Sequence, residues 1–418
     1  MRLAPYLRLL RDNPAFRRLY AAQLVSFAGD WFATVALLGL ALELSGSAAV
    51  ASLVLVLQTG GFAVASPLAG ILADRIDRRR LLVAADLVRV PIALTFMLAR
   101  GPDTLWIALL AVALLAVGAA VFEPASSAAL PNLVEPAQLG EANVLLGSAW
   151  GVMLAVGAAI GGLVAVTFGR DAAFIVNALT FALSALLIVG IKRPFQQPRE
   201  PVPAGRGGPG LLESLGLVIA FARNNRLVAS LLLSKTMFGV GTGVVLMLAV
   251  FGNEVFNAGD VGIGVLFAAR GLGALIGPFA ARALVGVEDR GLLIGITGSL
   301  VTVVVAYTLF PLAPTIWIAA VLVFAGHLGG GAQWMLSTYG LQKATPDSIR
   351  GRVFSFDYGL VTLIISVSTV LAGVLSETLA PSAAVWTMVG LIALAGLAWI
   401  WFSTPARRAT AILPSQNQ

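Results

Sequence analysis

Gln23, Ser26, Asp30 and Thr34 follow one another at intervals of three, four and four residues. On a helix those intervals bring all four side chains to one face. The residues around them are apolar, so the stripe points a carboxylate at water or at a bound molecule. Such a group can take up and release a proton as its surroundings change, which makes Asp30 the first candidate for proton coupling. The alternative is a structural role, pairing with a cation on another helix. Glu123, just before Pro124, is the second candidate, as a proton site or as a partner for Arg89. Three cations also sit in apolar runs: Lys235, Arg270 and the single histidine, His327. An ionisable group in hydrocarbon costs at least ~2.5 kcal/mol, so each is a candidate for function. Lys235 lies near Phe238, and His327 lies seven residues before Trp334. Together they predict a cationic, partly aromatic wall that attracts an anionic group. Equally open is a pairing of Asp30 with Lys235 or Arg270 that leaves the wall neutral. His327 is a packing residue or a pH-sensitive one.

The elements that must position these residues are membrane helices. Of the 418 residues, 59% are hydrophobic and only 11% charged, less than half the share usual in a soluble domain. Surface that apolar needs hydrocarbon as its solvent. Twelve apolar segments are predicted, at 17–44, 47–73, 80–100, 104–129, 138–168, 171–191, 226–251, 259–285, 290–311, 314–340, 352–380 and 382–403. The expected fold is therefore an all-α integral membrane protein of about twelve helices in two pseudo-symmetric six-helix bundles. Residues 1–191 form the first, opened by an amphipathic segment that ends near Pro14. Residues 192–225 are a Pro-, Gly- and Arg-rich linker with a short amphipathic helix, and 226–418 form the second bundle with a short tail. With the N-terminus inside, 22 of the 27 Lys and Arg fall on the cytoplasmic side, which predicts both termini there in a plasma (inner) membrane. The net charge of +7 forms no continuous stripe, so nucleic acid is excluded as a partner. With no cysteine and one histidine, thiolate and multi-histidine metal sites are excluded, and no cofactor is expected. No phosphate-binding loop of the G-x-x-x-x-G-K-[ST] type occurs. Clustered catalytic groups at one membrane face are also lacking, which argues against an enzyme.

The stretch GILADRIDRRRLL, 70–82, puts six charges between Asp74 and Arg80. Its pattern of Gly70, Asp74, Arg75, Arg78 and Arg79 resembles the loop signature of the major facilitator superfamily, with Asp77 where glycine is usual. The DRxDRRRLL form, with NPAFRRLYAAQLVSFAGDW (13–31), FEPASSAALPNLVEPAQLGEAN (122–143) and ATPDSIRGRVFS (344–355), is similar to the branch that includes macrolide efflux proteins and the enterobactin exporter. The resemblance implies a cytoplasmic gate. Asp74 would sit at the N-terminus of the eleventh helix, near Arg352 and Val353, where the helix dipole favours a carboxylate. Arg75 and Arg78 would meet Asp86 or Asp357. Asp86 and Arg89 are three apart and can bridge each other. Gly157, Gly161 and Gly162 are similar to the superfamily's antiporter motif, with Ala158 in place of proline, and also suit plain helix packing. The function so implied is export of an amphiphilic drug, siderophore or lipid-like molecule, by alternating access in exchange for protons. The partners would be that substrate, protons and membrane lipids, and the chain would act as a monomer. A lysophospholipid flippase, or a facilitated importer of a small metabolite without proton antiport, is the alternative.

Overall fold

The structure, a computed structural model, describes residues 4–45, 48–153, 156, 160, 164–165, 167–197, 210–285 and 289–412. Some of the helices begin where a short polar side chain supplies a hydrogen bond that first-turn amides lack. Helix α1 (Ala4–Asp12) buries Tyr6 and Leu9 against the bundle. Asn13 Oδ1 accepts from Phe16 N at 3.0 Å at the start of α2 (Pro14–Ser45). Helix α3 (Ala48–Arg75) leads through a sharp turn to α4 (Arg78–Leu94). Asp77, the residue that replaces glycine, caps α4 by accepting from Arg80 N at 3.0 Å, and its φ of −57° needs no glycine. Next come α5 (Leu105–Leu133), α6 (Leu139–Val152) and α7 (Arg170–Val189). Gly157, Gly161 and Gly162 lie outside the described residues.

After 192–197, the linker helix α8 (Leu211–Asn224) packs on α3, and the second set begins with α9 (Arg226–Gly239), capped by Asn225. The seventh predicted span is not one helix. It breaks at 240–243, resumes as α10 (Val244–Val250) and ends in a π-helical turn at Phe251–Val255. Glycines at 239, 241 and 243 make the break, and Gly243 N is satisfied by Ser368 Oγ at 2.9 Å. Then follow α11 (Gly259–Leu284), α12 (Asp289–Leu309), α13 (Ile316–Ala344), α14 (Asp347–Thr378) and α15 (Pro381–Ile412). Helix α14 starts five residues before its predicted span, at Asp347, just after Pro346. Ten stretches of the described residues are long and apolar enough to cross a membrane. A shorter apolar stretch, Val56–Ala69, lies in α3, and the described residues are all-helical, consistent with about twelve helices.

Helix α2 packs on α7, α3 on α5 and α4 on α7; in the second set, α11 packs on α13, α12 on α13 and α9 on α15. The sets meet along α3 with α14 and α6 with α11. Small residues allow that second contact, since packing in lipid depends on close backbone approach. A Cβ on Gly151 would lie 2.5 Å from Leu275 N and 2.8 Å from its Cα. Gly151→Val is therefore expected to cost ~1–3 kcal/mol by overpacking, read as a lower melting temperature of the purified protein. An unchanged melting curve would mean that α6 and α11 separate freely at this point.

Candidate functional site

Two groups of polar residues stand out, one at the end of the bundle that carries the basic loops and one at mid-helix depth. At the basic face, the Arg78 side chain is fully buried. Its Nη1 donates to Asp347 Oδ1 and its Nη2 to the Asp347 carbonyl, both at 2.8 Å. Asp347 also accepts from Asn132 Nδ2 at 2.8 Å, Arg350 Nη1 at 2.8 Å and Gln197 N at 3.1 Å. The carboxylate stands in the first turn of α14, where the helix dipole adds to its stabilisation. Asn132 also reaches the Phe195 carbonyl at 3.2 Å, so the start of the linker folds back into the cluster. Around it, Asn143 donates to Gln342 at 2.6 Å, Gln342 to the Ser127 carbonyl at 2.9 Å, and Arg282 pairs with Glu141 at 3.1 Å. Each of these joins the two helix sets, so the basic face is closed.

The residues that the resemblance assigns to a gate have different partners here. Arg78 meets Asp347 rather than Asp86 or Asp357, because both of those acids are engaged within their own halves. Asp86 pairs with Arg89, and Asp357 with Lys235. Because α14 begins at Asp347, Arg352 and Val353 lie beyond its first turn. Arg352 lines a small cleft with Pro67, Val218 and Ser355. Arg75 is exposed at the end of α3. The side chains at Gly70 and Asp74 lie outside the described residues. Asp347 carried a readable signal, an acid just after proline at a helix start. Asn132 and Gln197 carried none.

At mid-depth, the predicted stripe on α2 is a helical face. Thr34 Oγ1 donates to the Asp30 carbonyl and accepts from Gln58 Nε2, both at 2.8 Å. Ser26 is buried beside them. Gln23 Nε2 lies 3.5 Å from Glu123 Oε2, so Glu123 faces Gln23 rather than serving as the partner of Arg89. The Asp30 carboxylate is half-buried and has no hydrogen-bond or ion-pair partner among the described residues. Arg89 acts electrostatically on both Asp30 and Glu123. It is held between the Phe181 ring at 4.3 Å and the Phe122 ring at 5.1 Å.

Across the bundle, the expected cationic wall is split in two. Lys235 is paired with Asp357, and both side chains are fully buried. The Trp334 and Tyr358 rings cover its ammonium at 4.6 and 5.0 Å. Lys235 is therefore neutralised and sealed, and it does not present a charge as predicted. Tyr358 reaches over to Ser127 of the other set at 3.2 Å. Phe238 packs over Gly330. Arg270 stands apart. Its Nε lies 3.2 Å from His327 Nε2, while His327 Nδ1 lies 3.0 Å from the Tyr307 hydroxyl. His327 and Trp334, on one helix, thus serve different clusters. Neither pairing of Asp30 with Lys235 nor with Arg270 occurs.

Comparison with known proteins agrees with this architecture. Residues 19–356 match the Major Facilitator Superfamily. BacE of Bacillus subtilis, named for bacilysin export, is 26% identical over 91% of this chain and 93% of its own length. Macrolide efflux protein A of Streptococcus pyogenes is 23% identical over 87% of this chain and 89% of its own. Among solved structures, a bacterial homologue of the iron transporter ferroportin, in an outward-facing state, superposes with a TM-score of 0.73 at 18% identity. It covers 93% of this chain and 99% of its own, and the likeness is one of fold.

Proposed function

We propose a transport cycle for this chain, which belongs to the Major Facilitator Superfamily: it exports an amphiphilic small molecule by alternating access, in exchange for protons. The chain is a multi-pass membrane transporter and not an enzyme, and its named relatives are efflux proteins. The observation that carries the finer reading is the unpartnered Asp30 carboxylate, close to Glu123 and in the field of Arg89. In this reading the basic face is cytoplasmic, which its basic loops support, and the protein works as a monomer in the plasma membrane. With that face open, substrate enters and Asp30 releases its proton inward. The halves then rock, Arg78 and Asp347 close the gate, and the substrate leaves outward. A proton from outside reloads Asp30, with Glu123 and Gln23 beside it to pass the charge along. The same carboxylate can thus be neutral while it crosses the low-dielectric barrier and charged when water reaches it.

In proteoliposomes with an imposed pH gradient, Asp30→Asn is expected to lose concentrative transport while keeping downhill exchange. An Asp30→Asn protein that still concentrates substrate against its gradient would overturn the coupling role. Glu123→Gln is expected to slow the proton-driven step only, seen as a lower rate at saturating substrate.

A further inference from the structure

We propose that Arg270 receives an anionic group, carboxylate or phosphate, on the transported amphiphile; this rests on the reading of the chain as a transporter of such molecules. Among the described residues, two other cations at mid-helix depth are matched by carboxylates. Arg89 has Asp86, and Lys235 has Asp357. Arg270 has no carboxylate partner among the described residues; its hydrogen-bond partner is His327, and the ionisable groups that act on it are Tyr307 and His327. A half-buried guanidinium with no carboxylate partner among the described residues is a costly feature inside an apolar bundle, one that simple packing would replace with an apolar side chain.

Its surroundings suit reception of a ligand. The Trp150 and Phe267 rings flank the guanidinium carbon at 5.2 and 5.7 Å. Such rings favour a cation while leaving its edge free to bond. His327, held by Tyr307 and by the Val323 carbonyl, engages only Nε. The two Nη groups have no hydrogen-bond partner among the described residues, and Arg270 is half-buried rather than sealed. Those paired donors have the fork geometry that matches a carboxylate or phosphate. The flanking Trp150 is on α6 and Arg270 is on α11, the two helices that meet between the halves. A group bound there would touch both sides of the moving interface. The same cradle of indole and phenyl rings also suits the apolar body of an amphiphile.

The test compares probes with one alkyl chain and different heads: octanoate, octyl phosphate, octanol and octyltrimethylammonium. Binding to the full chain in nanodiscs is read by tryptophan fluorescence. An anionic probe is expected to bind at least tenfold more tightly than octanol. Arg270→Gln should erase that preference and leave octanol binding unchanged, and Arg270→Lys should retain part of it, more for phosphate than for carboxylate. The better of octanoate and octyl phosphate identifies the anion. Equal binding of octanol and both anions by the unaltered chain would overturn the proposal, and so would a preference that survives in Arg270→Gln. If Arg270→Gln fails to fold, competition between octanoate and octyl phosphate in Arg270→Lys decides, since a lysine point charge should change their ratio and a site elsewhere would not. Asp30→Asn is expected to keep the anion preference, so failure of proton coupling and failure of this site give different results.

Discussion

Asp347→Ala should shift the balance between the closed and open basic face by about 3–5 kcal/mol toward open, the range for removing one partner of a buried pair. Its carboxylate holds Arg78, Arg350, Asn132 and the Gln197 amide together. Without it, the Arg78 guanidinium, which is fully buried, remains in place with only carbonyl partners. Opening returns that charge to water, so the loss falls on the closed state alone. At about 1.4 kcal/mol per tenfold, the shift is roughly two to three and a half orders of magnitude. The chain has no cysteine, so spin labels at Ala137→Cys and Ser348→Cys, both on exposed positions of opposite halves, report the distance cleanly. The expected result is a longer, broader distance distribution in Asp347→Ala, with Asp347→Asn in between. A distribution that stays at the closed distance in Asp347→Ala would show that the remaining inter-half bonds hold the gate by themselves.

Asp357→Ala is expected to be the most damaging single change inside the membrane, costing about 3–5 kcal/mol of stability. It leaves the Lys235 ammonium fully buried beneath Trp334 and Tyr358. Water has no access there, so the charge cannot be screened. Lys235→Met with Asp357→Leu removes both charges and should recover most of the melting temperature, because paired removal spares the desolvation cost. Transport by the recovered double variant then separates two roles. Normal transport would mean that the pair only holds α9 to α14. A stable protein that no longer transports would mean that the pair opens during each cycle, consistent with its place next to the glycine-rich break at 240–243. If the double variant is as unstable as Asp357→Ala, the cost lies in packing and not in the orphaned charge.

These two residues also show where reading the sequence reaches its limit. The amphipathic stripe at Gln23, Ser26, Asp30 and Thr34 was legible because helical periodicity is local and needs only the rise and turn of one helix. The count of about twelve helices was legible for the same reason, since the bilayer sets a length that each segment meets by itself. The resemblance pointed to a gate at the loop signature, whereas Asp77 as the cap of α4 emerged only from the structure. Partners were another matter. Arg78 and Asp347 are 269 residues apart, and Lys235 and Asp357 are 122 apart. Which acid meets which base depends on which helices touch and at what depth, and an α3–α14 or α9–α14 contact leaves no mark on the spacing within either helix. From the sequence, Lys235 therefore read equally as a wall charge or as a partner of Asp30, and Arg270 as a cavity residue or as a partner of Asp30. Packing alone distinguished them, by giving Lys235 a carboxylate and leaving Arg270 with an imidazole and two aromatic rings. The amino-acid sequence determined that this chain lives in lipid, that it has about twelve apolar helices, and which side chains are too polar to be there without purpose. The tertiary structure decided which of those charges cancel, because a hydrogen-bonded ion pair needs donor and acceptor within a few ångströms, a contact that exists only when the helices come together.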